Sequence, residues 1–122
     1  RGVRGLVPNG CTGEFWAQTM AERKRVAEIV QDAAARRVPV LPGVGASATR
    51  DVIELAEHCR AIGCAGVMMM APFMVHPKKE DIFHHFKAVS DRVPIPITRS
   101  ASRASIFAAN VPVTPIAPTF CG

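Results

Sequence analysis

The stretch "AGVMMMA" (residues 65–71) is apolar at every position. A strand that is apolar on both faces is typical of a parallel sheet covered by helices. Further short, largely apolar runs lie at residues 2–8 ("GVRGLVP"), 38–45 ("VPVLPGVG") and 95–97 ("IPI"). Because side chains alternate across a strand, the consecutive methionines predict core filling rather than a thioether metal site.

Amphipathic helices are predicted between these strands. Thr19 and Glu22 form a capping-box signature at the start of the first helix. The second helix is predicted to begin at Ser47 or Thr49 and to end before Gly63, which suits a left-handed cap. A third helix follows the third strand. The predicted inner faces are Val26, Ile29, Val30 and Ala33 in the first helix; Val52, Leu55, Ala56, Cys59 and Ile62 in the second; and Ile82, Phe83, Phe86 and Val89 in the third.

Strands that alternate with helices in this way predict an α/β fold with a parallel sheet. The pattern leaves two architectures open, a doubly wound open sheet and an arc of a (βα)8 barrel. In both architectures, functional groups collect at the C-terminal ends of the strands. Those ends are the segments "NGCTGE" (residues 9–14), "GVGAS" (43–47) and "APFMVHP" (71–77).

Composition and charge argue against several classes of partner. The chain has 122 residues and 48% hydrophobic residues, which suits one domain, and it contains no apolar run of membrane-spanning length. The net charge is +5, but basic residues mix with acids, as in "AERKRVAE" (residues 21–28). We therefore expect a solvated surface and no nucleic-acid or membrane partner.

The cysteines and histidines do not form a metal-binding pattern. The four cysteines include no CxxC pair, and Cys59 and Cys64 fall at apolar positions, which predicts buried thiols and a reducing cytoplasmic location. His84 and His85 are adjacent, so they point in different directions on a helix. The sequence therefore predicts no metal site.

The segment "NGCTGE" has the design of an anion-binding turn. Gly10 and Gly13 are predicted to give the backbone its freedom, so that amides converge on an anion while Thr12 adds a hydroxyl. The segment lacks the GK[ST] ending of a P-loop and the GxGxxG of a dinucleotide-binding turn. A carboxylate or a phosphate fits this design, and a plain tight turn is the structural alternative.

Three segments together resemble the dihydrodipicolinate synthase and N-acetylneuraminate lyase family. They are residues 5–30 ("GLVPNGCTGEFWAQTMAERKRVAEIV"), 37–77 ("RVPVLPGVGASATRDVIELAEHCRAIGCAGVMMMAPFMVHP") and 85–97 ("HFKAVSDRVPIPI"). The resemblance implies that residues 1–97 are an incomplete (βα)8 TIM barrel, about strands two to five with the intervening helices. It also implies a class I aldolase or lyase that binds pyruvate or another 2-keto acid as a Schiff base. No metal or organic cofactor is implied, and the family is commonly homotetrameric.

The resemblance assigns roles within the opening segment. In the family this turn receives the keto-acid carboxylate on backbone N–H groups and a threonine hydroxyl, which implies substrate binding by Gly10, Thr12 and Gly13. Cys11 stands at a proton-relay position that is usually Ser or Thr, and a thiol is a poorer hydrogen-bond donor than a hydroxyl. Glu14 matches the family's glutamate, which we interpret as holding the turn.

Other positions depart from the family's pattern. Phe73 and Met74 are predicted to line the pocket in a loop where the family commonly has tyrosine. Ser100 takes the place of a catalytic tyrosine, and the chain has no Tyr at all. Arg103 lies near the family's substrate-binding arginine but is out of register. The family's Schiff-base lysine belongs to the sixth strand, beyond the resemblance, and all lysines of this chain fall on predicted helices.

Residues 98–122 differ in character from residues 1–97. They contain no Asp, Glu, Lys or His and are interrupted by three prolines. The sequence assigns this atypical tail to no element, and disorder or an altered reading frame would account for it. We therefore expect a fragment of a Schiff-base-forming lyase that is inactive alone, with dihydrodipicolinate synthesis in lysine biosynthesis as the family's usual activity. The alternative is a non-catalytic half-barrel that binds a carboxylate or pairs with a partner chain.

Overall fold

Four extended segments lie side by side, in the order of the sequence, in the computed structural model, which describes residues 2–72 and 76–99. The first segment meets the second through a parallel bridge between Leu6 and Val40. The second meets the third through a parallel bridge between Gly43 and Met68. Each of these two contacts is a single β-bridge. The first two predicted strands are therefore extended backbone that does not pair over several residues with its neighbours.

The third and fourth segments are regular strands. They are β1 (Val67–Met69) and β2 (Ile97–Arg99), and they pair in parallel with Val67 opposite Ile97. Met69 is fully buried, whereas Met68 and Met70 are half-buried, so the methionine run alternates between two faces as predicted.

Three α-helices follow the extended segments: α1 (Met20–Ala34), α2 (Thr49–Ala61) and α3 (Lys79–Arg92). Two short 3-10 helices, Cys11–Gly13 and Phe15–Ala17, lie between the first segment and α1. Helix α2 contacts both α1 and α3, and side chains from all three helices join β1 in one core. The helices therefore cover one face of the sheet, as an arc of a barrel requires and a doubly wound sheet does not.

The helix ends follow the sequence signals in two of three cases. The Thr19 side chain accepts from the Glu22 amide while the Glu22 carboxylate accepts from the Thr19 amide, so the predicted capping box is confirmed. Gly63 has a left-handed φ of 85° directly after the end of α2, also as predicted. The predicted cap of α2 is wrong: its N-cap is Ala48, which makes no side-chain cap. The Thr49 hydroxyl instead bonds to His85 Nδ1 at 2.8 Å.

The inner faces of α2 and α3 supply most of the apolar core. In α2 the predicted residues Val52, Leu55, Ala56 and Cys59 are buried. In α3 the buried residues are Ile82, His85, Phe86 and Val89, and Phe83 is 37% exposed, so its predicted inward position is wrong. His85, which bonds to Thr49, is buried on this face of α3 instead of Phe83.

The predicted inner face of α1 is wrong at Ile29 and Ala33, while Val26 and Val30 are half-buried. Ile29 is 51% exposed and Ala33 is exposed, whereas Arg23, Ala27 and Ala34 are buried. The small Ala27 side chain allows α1 to lie close to α2. An ion pair from Lys24 to Glu54 connects the same two helices outside this contact, and His58 Nε2 lies 3.1 Å from a carboxylate oxygen of Glu28.

The boundary predicted at residue 97 lies within a strand, because β2 continues through Thr98 and Arg99. Residues 100–122, which hold most of the predicted tail, lie outside the described residues, as do Ser100 and Arg103. Among the helices that are described, none is both long and apolar enough to span a bilayer.

Candidate functional site

The opening turn, defined here as residues 8–14, connects the first extended segment to α1. It takes its shape from two non-glycine residues with left-handed backbone, Asn9 (φ 57°) and Glu14 (φ 52°). Neither Gly10 nor Gly13 has a positive φ, so the predicted use of glycine freedom at these two positions is wrong. Asn is among the residues that tolerate this conformation at low cost, because its short polar side chain can bond locally.

Two of the six amides of the turn donate to a backbone acceptor in the described part of the chain. The Gly13 amide donates to Gly10 O at 2.9 Å and the Glu14 amide donates to Cys11 O at 3.2 Å. Within the described residues, the amides of Cys11 and Thr12 have no such acceptor, as is usual at the start of a helix. Glu14 therefore acts in the turn through its backbone, at the junction of the two 3-10 helices.

A cavity of about 230 Å³, which we call the turn cavity, lies beside the opening turn. Gly10, Cys11 and Thr12 line it from the turn, and Met68 and Met70 line it from the third segment. Both Cys11 and Thr12 are exposed, so neither side chain points into the hydrophobic interior. The structure thus brings three of the predicted site residues to one cavity at the C-terminal ends of the segments, while Gly13 lies outside its lining.

Two glycines of the second segment shape the same cavity. A Cβ at Gly43 would lie 2.1 Å from Asn9 O, a distance that backbone cannot accommodate. A Cβ at Gly45 would lie 2.7 Å from Met70 Cγ. By contrast, a Cβ at Gly13 would meet no atom within 4 Å. Close approach of backbone to backbone is therefore required at Gly43, on the second segment, rather than at the glycines of the turn.

Arg23 lies beneath the turn cavity, and the sequence analysis did not single it out. Its side chain is 4% exposed, its Nη2 donates to Gly43 O at 3.0 Å, and its guanidinium carbon lies 4.9 Å from the Phe15 ring centroid. Its carbonyl accepts from Asn9 Nδ2 at 2.9 Å. Asn9, Phe15 and Gly43 all line the cavity, so Arg23 holds three of its residues together.

In the described part of the chain Arg23 forms no direct ion pair, although the negative charge of Asp51 is near enough to act on its pKa. No carboxylate oxygen lies within ion-pair distance of its guanidinium there. Burial lowers the pKa of Arg23, but a guanidinium keeps its proton at neutral pH. A buried positive charge next to a cavity favours an anionic ligand. Helical spacing could have identified Arg23 as a buried residue, since it lies one turn before the buried Ala27.

A second, more open cavity of about 470 Å³ lies between the starts of α2 and α3. Thr49 and His85 line it together with Asp81 and His84. His84 is exposed and His85 is 4% exposed, so the prediction that they point in different directions is confirmed. Burial lowers the pKa of His85, which therefore favours its neutral form. Within the described ranges, no three His, Cys, Asp or Glu side chains are placed to hold a metal ion.

No lysine of the chain reaches the turn cavity. Lys24 pairs with Glu54 and Lys87 pairs with Asp91, both on the outer surface of the helices. Lys78 and Lys79 are exposed at the start of α3. The predicted pocket residues Phe73 and Met74 lie outside the described residues.

Comparison with known proteins gives consistent results. The family model described as "Dihydrodipicolinate synthetase family" matches residues 1–97. The 4-hydroxy-tetrahydrodipicolinate synthase of Acidiphilium cryptum is 43% identical over 96 residues, which cover 79% of this chain and 33% of that protein. This chain spans about a third of the length of the curated relatives it matches.

Solved structures of TIM-barrel enzymes are similar in fold as well as in sequence. YagE of E. coli K12, a prophage protein of the dihydrodipicolinic acid synthase family in complex with pyruvate, superimposes with a TM-score of 0.81 at 34% identity, over 85% of this chain and 35% of that one. The chloride-inhibited dihydrodipicolinate synthase of Acinetobacter baumannii, complexed with pyruvate, gives a TM-score of 0.78 at 30% identity, over 80% of this chain and 34% of that one.

Proposed function

Because the chain belongs to the dihydrodipicolinate synthetase family, we propose that it supplies the carboxylate-binding part of a lyase site for pyruvate or another 2-keto acid. The family is one of lyases. Two of the similar solved structures are complexes with pyruvate, which supports this substrate class. For the complete protein we propose an activity like that of 4-hydroxy-tetrahydrodipicolinate synthase, the name shared by its curated relatives.

One observation carries the proposal: the turn cavity combines free donors with a buried positive charge. Cys11 and Thr12, whose amides have no backbone acceptor in the described residues, line the cavity, and Arg23 lies beneath it. A carboxylate placed there would accept from the two amides and the Thr12 hydroxyl, while the guanidinium would favour its negative charge. A neutral ketone would gain much less from the same arrangement, so the site selects keto acids by their charge.

The covalent step of such a lyase needs an amine from another part of the site. A lysine amine adds to the keto carbon and water leaves, which gives the imine. The lysines of this chain lie on the outer sides of helices, so we propose that the amine comes from a lysine other than these four. Cys11 stands at the relay position, where its thiol would pass a proton less readily than a hydroxyl.

The placement within the barrel is also part of the proposal. We assign the four extended segments to strands two to five of a (βα)8 barrel. The parallel order of the segments and their single layer of helices support this assignment. The turn cavity then lies at the C-terminal mouth of the barrel, where active sites of this architecture are found.

A titration of the isotopically labelled chain with pyruvate tests the carboxylate site. We expect the amide signals of Cys11 and Thr12 to shift with saturation, and pyruvamide, which has no carboxylate, to bind at least about tenfold more weakly. Thr12→Val should weaken pyruvate binding because it removes the hydroxyl while keeping the shape. Equal shifts with pyruvate and pyruvamide would contradict the proposal.

The role of the buried charge is tested with a matched pair of variants on α1. Arg23→Met should weaken pyruvate binding by about tenfold, equivalent to ~1.4 kcal/mol, without a comparable effect on pyruvamide. Arg25→Met removes the same charge from an exposed position of the same helix, where Arg25 pairs with Glu28. We expect no effect from this control. Equal losses in both variants would show that only the net charge of the chain matters.

The second candidate function is a non-catalytic half-barrel that holds a keto acid or pairs with another chain. The outward position of all four lysines favours it for this chain by itself. Exposed apolar side chains near the first segment, Val3 and Val7, are consistent with a pairing edge. Borohydride reduction with pyruvate tests both candidates: we expect no covalent label on the chain alone. A labelled lysine would exclude the non-catalytic alternative and would also contradict the proposal that the amine comes from a lysine other than these four. Light scattering would measure self-association.

A further inference from the structure

Helix α2 ends in a Schellman motif that places two cysteines at its paired positions. The amide of Gly63 donates to Arg60 O at 3.1 Å, and the amide of Cys64 donates to Cys59 O at 3.0 Å. Gly63 carries the left-handed φ that the motif requires. In this motif the side chains of the two residues joined by the outer hydrogen bond commonly touch. Here those residues are Cys59 and Cys64.

The two cysteines are neighbours at the end of α2 but differ in exposure. Cys59 is 2% exposed and belongs to the core, while Cys64 is half-buried and packs against the edge of that core. The hydrogen bond between the thiols lowers the pKa of Cys64, while the same bond and burial raise the pKa of Cys59. Both cysteines are free thiols. The pair therefore combines one accessible sulfur with one sheltered sulfur beside it.

We propose that Cys59 and Cys64 form a reversible disulfide modification site that responds to small-molecule disulfides such as oxidised glutathione. The Cys64 thiolate attacks one sulfur of the glutathione disulfide, which forms a mixed disulfide and releases one glutathione thiolate. The Cys59 sulfur, after losing its proton to solvent or to the released thiolate, then attacks the Cys64 sulfur. This step forms the intramolecular bond and releases the second glutathione. Two protein thiols are oxidised and one glutathione disulfide is reduced to two thiols.

This site is separate from the turn cavity. Cys64 precedes β1, whereas the turn cavity is lined by Met70, which follows β1. The disulfide would join the last turn of α2 to the backbone that leads into β1. Oxidation therefore stabilises the end of α2 against opening, and binding at the turn should not change.

Tryptic mapping of the whole chain tests the proposal directly. Trypsin cleaves after Arg60, between the two cysteines, and gives fragments 51–60 and 61–78, each with one cysteine. The folded chain is treated with oxidised glutathione, blocked with N-ethylmaleimide and digested without reductant. We expect the two fragments to be joined by a disulfide that dithiothreitol breaks. Cys11, which is exposed, should instead retain glutathione or pair with Cys121, and serves as an internal control.

Two variants establish the order of the steps. Cys59→Ser should leave Cys64 as a stable mixed disulfide with glutathione. Cys64→Ser should leave Cys59 unmodified in the folded chain, because that thiol is sheltered. The proposal is overturned if the unaltered chain behaves like the Cys59→Ser variant, with glutathione retained on Cys64 and Cys59 labelled by maleimide. It is also overturned if the joined fragments form only after the chain is unfolded in guanidinium.

Discussion

At the contact between α2 and α3, the buried side chains include Leu55, Phe86 and Val89, which have no polar atoms. Beneath the opening turn, the buried side chains include Asn9 and Arg23, whose polar atoms bond to backbone carbonyls. Apart from the bond between Thr49 and His85, the first region is held by close packing of apolar groups, whereas the second depends on particular hydrogen bonds and on Gly43. We therefore expect the apolar core to tolerate apolar exchange of similar volume, and the contact between Asn9 and Gly43 to tolerate no added side chain.

The largest effect is expected from a cavity in the apolar region. Phe86→Ala removes a fully buried ring and should lower the free energy of unfolding by about 3–5 kcal/mol. Phe83→Ala, three residues earlier and partly exposed, should cost much less. Urea denaturation of both variants measures the difference. Similar losses at the two positions would mean that α3 is rotated from the orientation described.

Gly43→Ala tests the dependence of the turn region on shape. The added methyl would meet Asn9 O at 2.1 Å, so backbone must move, and we expect a loss of about 1–3 kcal/mol together with weaker pyruvate binding. Gly13→Ala is the matched control, because its methyl meets no atom within 4 Å. Thermal denaturation and the amide spectrum of residues 9–14 would show the contrast. An unchanged spectrum in Gly43→Ala would contradict the close approach.

The buried imidazole between the two helices should make stability depend on pH. Burial lowers the pKa of His85 below the ordinary value of about 6.5, so the unfolded chain binds a proton more readily than the folded one. Stability should therefore fall as the pH drops below about 6.5, by up to ~1.4 kcal/mol per pH unit, until the folded pKa is passed. His85→Gln should show a smaller loss between pH 7.5 and 5.5, whereas the exposed His84→Gln should keep the full loss.

The smallest effect is expected at the start of α1. Thr19→Ala removes one side of the capping box and should lower the free energy of unfolding by about 1 kcal/mol. Thr19→Ser keeps the oxygen and should be close to neutral. If hydrogen exchange in the first turn of α1 is unchanged in Thr19→Ala, the box does not contribute to stability.

The sequence predicted best where apolar residues recur along one element. The face of α2 was correct because its inward residues are all apolar, and the four extended segments were correct because each is a short apolar run. The face of α1 was wrong in part because a pattern of apolar residues does not include a buried arginine, whose partners here are the Phe15 ring and Gly43 O. Ile29 was placed inward for the same reason and is exposed.

The candidate site was predicted in part. Gly10, Cys11 and Thr12 do line one cavity, but the roles given to the two turn glycines belong to Asn9 and Gly43. The contact between Asn9 and Gly43 joins positions far apart in the chain, so no pattern of neighbouring residues predicts it. The cap of α2 failed similarly, since Thr49 is drawn to His85 on another helix.

Met68 and Met70 give the turn cavity an unusual property. A thioether side chain has several rotatable bonds and fills irregular space by changing rotamer, with little movement of the backbone. If the turn holds a carboxylate as proposed, acids that differ in length beyond that group would rest on these two methionines at similar cost. The proposed site would then discriminate by the acid group and tolerate variation in the rest of the ligand.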